Sequence, residues 1–366
     1  MKTTTHYLLL IVSLLCISAC SSSVKEKEIE KEETVNELEG MIQRAISSPL
    51  VEHMYTADPS AHMFDGKIYI YPSHDFDAGI PQNDLGDHFG MRDYHVFSMD
   101  SPESKPQDHG VALDVDDVPW AERQMWAPDA AYKDGKYYLY FPAKTAEGIF
   151  KIGVAVSESP TGPFIPEAEA INGSYSIDPA VFEEKGEYYL YFGGIWGGQL
   201  QSYRNNAYSE ENIEPAPEEA ALGPIMAKLT DNMKEFAEEP RELKILDEEG
   251  NPILAGDNER RFFEAPWLHT YKGKYYLSYS TGDTHFICYA IGDNPYGPFT
   301  YAGKVLNPVI GWTNHHSILQ IGDKWYLFYH DSSLSKGVTH LRSMKMTELS
   351  YDENGMIQTI DPYGEE

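Results

Sequence analysis

The chain has 366 residues, of which 42% are hydrophobic and 13% aromatic, and its formal net charge is −30. Lysine and arginine number 28 against 58 aspartates and glutamates, so the clustered positive charge that neutralises phosphates is missing and nucleic acid is excluded as a partner. The same charge repels acidic polysaccharides. A neutral ligand with faces that aromatic rings can cover, such as an uncharged sugar, fits this composition.

The first twenty residues have the features of an export signal. Lys2 precedes the apolar run 8–12, and a further apolar stretch ends at Ser18-Ala19-Cys20. This segment is too short to span a bilayer well and is typical of a signal peptide. Small residues directly before a cysteine are typical of lipoprotein processing, which predicts removal of residues 1–19 and lipidation of Cys20. An ordinary secretory peptide cut after Ala19 is the alternative.

Residues 20–45 are predicted to form an acidic, flexible tether. Three serines follow Cys20, and the charged run 25–39 has almost no core-forming residues, so it cannot bury enough surface to fold alone. We therefore expect a protein anchored by lipid to the cell envelope, and the absence of aspartate after Cys20 favours the outer membrane. Only Cys288 would remain unmodified in the mature chain, which excludes an intramolecular disulfide.

One phrase recurs five times in the remaining chain, residues 46–366, and it indicates the architecture. Each copy has a glycine-containing turn followed by aromatic and β-branched residues at period two, which predicts a β-hairpin. The copies occupy residues 64–71, 133–140, 184–191, 271–278 and 321–328. Repeated hairpins that need a neighbour to cover their apolar faces predict an all-β, five-bladed β-propeller. A pair of β-sandwiches is the alternative.

The spacing of the copies is uneven, and the longest insertion lies between the third and fourth. Residues 225–236 within it show the one helix-like pattern in this part of the sequence. The insertion, about residues 199–261, is expected to build a wall beside the third and fourth blades and to close a groove into a pocket.

Acidic residues stand just before the hairpin phrase in four consecutive copies. Asp58, Asp129, Asp178 and Glu264 occupy these positions, and His315-His316 takes the corresponding place in the fifth. A single Asp-Pro pair commonly begins a turn, but four carboxylates converging on one propeller axis destabilise the fold by repulsion. Crowded carboxylates push each other's pKa values apart, so that one acts as an acid while another remains a base. This arrangement is typical of glycosidases.

At these positions the chain resembles glycoside hydrolase family 43, over about residues 49–360. The resemblance implies that Asp58 is the general base, that Asp178 tunes the pKa of the acid and orients substrate, and that Glu264 is the general acid. It also implies an inverting mechanism, in which roughly 6.5–9.5 Å between the base and acid carboxyls leaves room for a water. A separation of about 5 Å would indicate a retaining enzyme instead.

The resemblance suggests further site residues. His315, favoured over His316, matches a histidine that the family often places beside a central calcium ion. Because calcium prefers oxygen ligands, a purely structural histidine is the alternative. Arg342 matches an arginine brought towards the catalytic acids, and an exposed strand arginine is its alternative. No cofactor is expected for the chemistry itself.

The remaining candidates for substrate binding are aromatic or polar residues beside the carboxylates and in the first-blade loop. An indole face of Trp126, Trp196, Trp267 or Trp312 could stack on a pentose ring, although at least two of the four are expected to be core or blade-packing residues. Asp129 opens the second-blade strand. His74 and Phe76 lie where a pocket wall is expected.

Together these features predict an exo-acting glycosidase that releases arabinofuranosyl or xylosyl residues from plant cell-wall polysaccharides or oligosaccharides. The alternatives are an endo-arabinanase of the same family and a non-catalytic, glycan-binding propeller. The intact set of Asp58, Asp178 and Glu264 disfavours the binder. A propeller glycosidase acting on sialosides would need an arginine cluster that the sequence lacks. The chain ends soon after residue 360 without the sandwich module of some relatives, which slightly favours arabinofuranosidase over β-xylosidase.

Overall fold

The computed structural model describes residues 35–211 and 213–364, and the chain divides into two compact units, Met1–Ala45 and Ile46–Glu366. In the first unit, residues 35–44 are helical, at the end of the predicted tether. The predicted signal peptide, Cys20 and most of the tether lie outside the described residues. Within the described part of the chain, no helix is both long and apolar enough to cross a membrane.

The second unit is an all-β, five-bladed propeller. The first two blades are four-stranded antiparallel sheets in sequential order. The first contains β1 (Tyr55–Phe64), β2 (Lys67–Asp75), β3 (Asp93–Met99) and β4 (Gln107–Asp114). The second contains β5 (Asp129–Lys133), β6 (Lys136–Lys144), β7 (Phe150–Ser157) and β8 (Ile165–Pro166).

The third and fourth blades include strands from the long insertion. The third contains β9 (Ala180–Glu184) and β10 (Glu187–Phe192), a separate ribbon of β11 (Tyr203–Arg204) and β12 (Ala207–Tyr208) follows, and β13 (Ile225–Lys228) and β14 (Arg241–Glu242) complete the blade. The fourth contains β15 (Ile245–Leu246), β16 (Glu264–Tyr271), β17 (Lys274–Ser280), β18 (Ile287–Gly292) and β19 (Phe299–Leu306). In it β15 pairs parallel to β19.

The fifth blade has three strands, β20 (His316–Ile321), β21 (Lys324–Asp331) and β22 (Ser343–Leu349). Short 3-10 helices occupy Val115–Asp117, Trp196–Gly198 and Leu200–Ser202. The segment before β1 and the start of β1 run beside β22 and the residue before it: the Leu50 N–H donates to the Met344 carbonyl at 2.8 Å, and the Thr56 N–H donates to the Arg342 carbonyl at 2.9 Å. These bonds join the beginning of the propeller to its last blade.

The five repeated phrases form the five predicted hairpins. Each connects two antiparallel strands through a two-residue turn, as the pairing of Phe64 with Lys67 illustrates for β1 and β2. Asp65 and Gly66 both have left-handed backbone conformations, with φ of 49° and 79°. Such turns match the right-handed twist of the flanking strands. The prediction of one hairpin per blade is therefore confirmed.

The helix suggested at residues 225–236 is wrong. Residues 225–228 form β13, which pairs antiparallel with β10, and Ile225, Met226 and Ala227 are all buried. The chain then turns, with an isolated bridge between Leu229 and Phe236. The apolar spacing of these residues resembles that of a helix because a strand buried on both faces is followed directly by a tight turn. In such a short apolar run, the periodicity of a helix cannot be told from that of a strand.

Candidate active site

A cavity lies at the beginning of the innermost strands. Its lining draws together residues that are up to 284 positions apart in the sequence. Seven of the predicted site residues line it: Asp58, Trp126, Asp178, Trp196, Glu264, His315 and Arg342. The convergence of the predicted Asp58, Asp178, Glu264, His315 and Arg342 in a single cavity, which Asp84 and His88 also line, makes this the candidate active site.

Backbone irregularities turn the three carboxylates towards this cavity. The register of β1 shifts between Ala57 and Ser60, and Asp58 in this bulge has a left-handed φ of 49°. The same device recurs in β16, where the register shifts after Glu264 and Ala265 has a φ of 59°. Asp178, just before β9, has a φ of 57°. Bulges and left-handed residues of this kind re-aim side chains at functional sites.

Proline fits these bulges because it has no N–H to lose from the strand ladder. Pro59 directly follows Asp58, and Pro266 follows Ala265. The motifs Asp-Pro and Glu-Ala-Pro therefore describe a local backbone shape as well as a carboxylate. Asp178 is tied to the second of them, since its Oδ2 accepts a hydrogen bond from the Ala265 N–H at 2.9 Å.

Asp58 is held as a carboxylate. Arg342 Nη1 donates to its Oδ1 at 3.0 Å, and the Ser73 hydroxyl donates to its Oδ2 at 2.6 Å. Burial alone would raise the pKa of Asp58, but the Arg342 guanidinium and the Ser73 hydroxyl outweigh it and lower the pKa to about 2. Asp58 is therefore ionised at any ordinary pH.

Arg342 is itself fixed by a second carboxylate. Its Nε and Nη2 donate to the two oxygens of Asp75, each at 2.8 Å, and its backbone N–H donates to Asp75 Oδ2 at 2.9 Å. Such a bidentate pair fixes the plane of the guanidinium. Asp75 thus orients the cation that contacts Asp58, although the sequence analysis did not single it out.

The pKa values of Glu264 and Asp178 are shifted in the opposite direction to that of Asp58. Burial, followed by the negative charge of Asp58, raises the pKa of Glu264 to about 8 although Arg342 acts against it. Burial also raises the pKa of Asp178, and the charges of Glu264 and Asp58 raise it further. Because two neighbouring buried carboxyls resist ionising together, Glu264 keeps a proton at neutral pH while Asp58 does not.

Two histidines, the buried His330 and the partly buried His315, lie beside Asp58. His330 Nδ1 accepts a hydrogen bond from the Asp58 N–H at 3.0 Å, and burial and Arg342 lower its pKa to about 3, so the ring is neutral. His315 Nδ1 lies 3.8 Å from Asp58 Oδ1 and 3.7 Å from Asp178 Oδ2. His315 lines the cavity, whereas His316 is buried and contacts Ser278 at 2.6 Å.

Aromatic side chains form two walls of the cavity. On one side the rings of Trp196 and Trp312 stack with centroids 5.8 Å apart, and Phe263 meets Trp312 edge-on at 5.5 Å. On the other side Phe89 meets Trp126 edge-on at 6.2 Å. Rings of this kind offer faces on which a neutral sugar ring can pack.

A further wall is the first-blade loop between β2 and β3, through residues other than the predicted His74 and Phe76. Cavity-lining residues of this loop lie within 82–91. The Trp126 indole N–H donates to the Phe89 carbonyl at 2.9 Å, and the Gln124 amide donates to the Gly86 carbonyl at 3.0 Å. Gly197 permits a close approach, because a Cβ there would lie 2.8 Å from the Leu85 carbonyl oxygen.

The long insertion does not have the role expected of it. The cavity lining stops at Gly198 and resumes at Phe263, so residues 199–261 contribute no side chain to it. Instead they supply β11 to β15. Insertion length is a poor guide here because added chain can extend a blade outwards as easily as it can overhang the axis.

Three predicted substrate-binding residues do not line the cavity. Asp129 is 1% exposed; it accepts hydrogen bonds from the Ser60 hydroxyl and the Val181 N–H at 2.5 Å, which joins the first three blades. His74 turns its ring to Asp93, with 2.7 Å between Nδ1 and Oδ1. Phe76 is half-buried and borders Gly90. Local sequence position therefore did not determine the direction of these side chains.

Comparisons with known proteins agree on one family. The model for glycosyl hydrolases family 43 matches residues 46–357. A xylosidase/arabinosidase of Bacteroides ovatus is 61% identical over 314 residues, which cover 85% of this chain and 97% of that protein. A β-xylosidase of Xylanibacter ruminicola is 54% identical and covers 84% and 97%, respectively.

Solved structures give the same result. A β-xylosidase/α-arabinofuranosidase from a compost microbial metagenome, crystallised with xylotriose in a calcium-free form, superposes with a TM-score of 0.86 at 65% identity, covering 87% of this chain and 98% of that one. A family 43 enzyme of Xanthomonas citri in complex with xylotriose has a TM-score of 0.86 at 60% identity, covering 90% and 97%.

The contacts of Arg342 predict a pH-dependent loss of stability in Arg342→Met. Wild-type Asp58, with a folded pKa of about 2 against an ordinary 3.8, contributes stability above pH 4 that is lost as pH falls through 2. Without the guanidinium, burial leaves a folded pKa above the unfolded one, so stability should instead fall as pH rises. Urea unfolding should show a loss of about 3–5 kcal/mol at pH 8 and a smaller loss at pH 5.

The control for this experiment is Arg92→Met, which removes a half-exposed guanidinium paired with Asp116 at 2.8 Å. It should change the free energy of unfolding little at either pH. Equal losses at pH 5 and pH 8 in Arg342→Met would contradict the assignment of Arg342 as the cation that keeps Asp58 ionised.

Proposed function

The chain belongs to glycosyl hydrolase family 43 and is a glycoside hydrolase, and from that premise we propose that it is an inverting exo-glycosidase releasing terminal xylosyl and arabinofuranosyl residues. The observation that carries the proposal is the opposite protonation of two carboxyls in one cavity, with the pKa of Asp58 lowered to about 2 and that of Glu264 raised to about 8. The substrates are those named for the relatives described above.

In the proposed reaction Asp58 is the general base. Its carboxylate takes a proton from a water molecule as the water oxygen attacks the anomeric carbon on one face of the sugar. Arg342 and Ser73 keep it ionised and fix both of its oxygens. A base of such low pKa removes the proton late, when the attacking water has already become acidic by bonding to an oxocarbenium-like carbon.

Glu264 is the proposed general acid. Its proton passes to the glycosidic oxygen as the bond to the anomeric carbon breaks, and the leaving group departs as an alcohol. Asp178 acts as a positioning residue, because its Oδ2 accepts a hydrogen bond from the Ala265 N–H next to Glu264. The hydrolysis is balanced: water supplies OH to the sugar and Asp58 receives the remaining proton.

The cavity supports exo action on a neutral pentose. Its aromatic side chains suit a neutral sugar ring, and the close approach of Gly197 to the Leu85 carbonyl narrows the cavity on one side. A cavity narrowed in this way favours one end of a chain, whereas cleavage within a chain needs a groove open at both ends. Neutral xylo-oligosaccharides and arabinosylated oligosaccharides are therefore the proposed substrate class.

We expect Asp58→Asn and Glu264→Gln each to lower kcat/KM by about 10²- to 10⁴-fold. The loss in Glu264→Gln should be larger on xylobiose than on 4-nitrophenyl β-D-xyloside, because 4-nitrophenolate leaves without protonation. The loss in Asp58→Asn should be equal on both substrates. Initial rates on each substrate measure this contrast, and proton NMR of the first product should show α-xylose, the product of inversion.

Glu187→Gln is the matched control, since Glu187 is exposed and pairs with Lys228 Nζ at 2.6 Å. Its kcat/KM should equal that of the wild type. No turnover of xylosides, arabinofuranosides or their oligomers by the wild type would favour a glycan-binding protein instead. β-Xylose as the first product would reject inversion while leaving the hydrolase in place.

The raised pKa of Glu264 predicts where activity falls in alkali. A carboxyl whose pKa is about 8 remains protonated up to that pH, so kcat/KM on xylobiose should be flat through neutrality and fall about tenfold per pH unit above 8. This limb should be missing in Glu264→Gln. A fall that begins near pH 5 would contradict the assignment of the proton to Glu264.

We further propose that His315 is the protein ligand of a structural calcium ion on the axis. The residues fit a hydrated cation: burial lowers the pKa of His315, so its ring is neutral, and oxygens of Asp58 and Asp178 face it within 3.8 Å. Waters would supply most of the oxygen ligands that calcium needs. When bound, the ion would offset carboxylate repulsion at the axis, and we assign it no step of the reaction.

Calcium should therefore stabilise the fold through His315. After chelator treatment, adding calcium should raise the thermal midpoint by a few degrees in the wild type and in His109→Ala, whose ring contacts Ser98 outside the cavity. His315→Ala should show no such rise. An equal response in His315→Ala would reject His315 as the ligand.

Finally, we propose that the protein is anchored to the cell envelope, and to the outer membrane where there is one, by a lipid on Cys20. The support is the run from Lys2 to Cys20 and the charged stretch that follows it. In cells, Cys20→Ser should move the enzyme from the membrane fraction to the soluble fraction, as immunoblotting of the two fractions would measure. A membrane-bound Cys20→Ser variant would reject the lipid anchor.

A further inference from the structure

A second group of chemically active side chains lies in the first blade, outside the cavity. His74 is in β2, and Asp93 and His95 are in β3. One ligand atom from each of the three lies within 4.8 Å of the other two. None of the three lines the candidate active site, and the proposed glycosidase mechanism uses none of them.

Carboxylates orient both imidazoles of this group. Asp93 Oδ1 lies 2.7 Å from His74 Nδ1, and Asp108 Oδ1, in β4, lies 2.9 Å from His95 Nδ1. The two rings meet edge to face with centroids 5.3 Å apart. Asp108 is fixed in turn, because it accepts a hydrogen bond from the Gly110 N–H at 2.8 Å.

This pattern is the one in which proteins hold transition metals. A metal-binding histidine usually donates one ring N–H to a carboxylate, which leaves the other nitrogen as the ligand. Asp108 has this role for His95, whose Nε2 has no hydrogen-bond partner within the described residues. His74 Nδ1 and Asp93 Oδ1, 2.7 Å apart, would instead both bind the ion in place of their mutual hydrogen bond. The side chains of His74, Asp93 and His95 are 26%, 18% and 17% exposed, so an ion can reach them from solvent.

We propose that His74, Asp93 and His95 bind a zinc-like divalent cation, with Asp108 as a positioning residue for His95. Two imidazoles, one carboxylate and a water make a four-coordinate zinc site with an open position. Zinc–nitrogen bonds of about 2.0–2.1 Å require the three side chains to close around the ion. Rotation of their side-chain torsions can supply this movement while the strands remain in place.

The position of the group indicates what the metal does. The hydrogen-bonded register between β2 and β3 runs from Ile68–Met99 to Ile70–Phe97 and ends there. His74 and Asp93 flank the loop that supplies residues 82–91 to the cavity wall. A cation bridging β2 and β3 beyond the end of their ladder would clamp the base of this loop. The site is therefore structural, and it stiffens a wall of the cavity from outside.

The test is zinc binding by the tag-free, metal-stripped full chain, measured by isothermal titration calorimetry. One zinc ion should bind per chain at this site, and the thermal midpoint should rise by about 3 °C at a hundredfold excess over Kd. Hydrogen exchange should slow in residues 76–92. Replacement of zinc by cobalt should give the visible absorption of a four-coordinate cobalt centre.

Variants separate this site from the histidines elsewhere in the chain. His95→Gln and Asp93→Asn should each weaken zinc binding at least 100-fold, and Asp108→Asn should weaken it about 10- to 100-fold through loss of orientation. His109→Gln, in the same blade, and His315→Ala, in the cavity, should bind zinc as the wild type does. Urea unfolding without metal checks that each variant folds. If one of His95→Gln and Asp93→Asn does not fold, the other is enough for the test.

Two results would overturn the proposal. The first is the absence of zinc binding by the wild type at 100-fold the protein concentration. The second is binding that survives in His95→Gln and Asp93→Asn but is lost in His315→Ala, which would assign the zinc to the cavity. Zinc affinity, hydrogen exchange and cobalt absorption do not depend on glycosidase activity, so failure of this proposal can be told from failure of the proposed function.

Discussion

The rest of the site depends on one buried cation. Asp58 and Glu264 share a cavity in which burial alone would raise the pKa of both. Two carboxyls in the same state could not serve as a base and an acid at one pH. Arg342 separates them because it donates directly to Asp58 and acts on Glu264 only from a distance. The negative charge that it preserves on Asp58 then helps to keep the proton on Glu264.

Arg342 is positioned by the contacts that close the ring of blades. Arg342 precedes β22 in the last blade, and its carbonyl accepts the Thr56 N–H of β1 in the first. Its backbone N–H and guanidinium both bind Asp75 at the end of β2. Residues that join the two ends of the propeller therefore also set the protonation of the base. A propeller that fails to close would lose stability and would also lose the ion pair that keeps Asp58 ionised. Folding and catalysis therefore depend on the same contacts.

The features that could be predicted from the sequence are those that neighbouring residues determine. A two-residue turn such as Asp65-Gly66 imposes its own hairpin, and an Asp-Pro pair at a bulge carries its left-handed backbone wherever it occurs. Asp75 and His330 could not be predicted, because their importance lies in contacts with residues more than 250 positions away. The first-blade loop was expected to form a wall, but which of its residues face the cavity depends on partners outside the loop, such as Trp126, whose indole N–H donates to the Phe89 carbonyl.

Asp129 shows why a carboxylate in the right place along the chain is not enough. It opens its strand as Asp58 and Asp178 do, yet it is not among the left-handed residues of the described chain and no register shift interrupts the pairing of β5 with β6. Its side chain stays between the blades and accepts bonds from Ser60 and Val181. A left-handed residue at the acid or directly after it therefore distinguishes a carboxylate that faces the cavity from one that joins the blades.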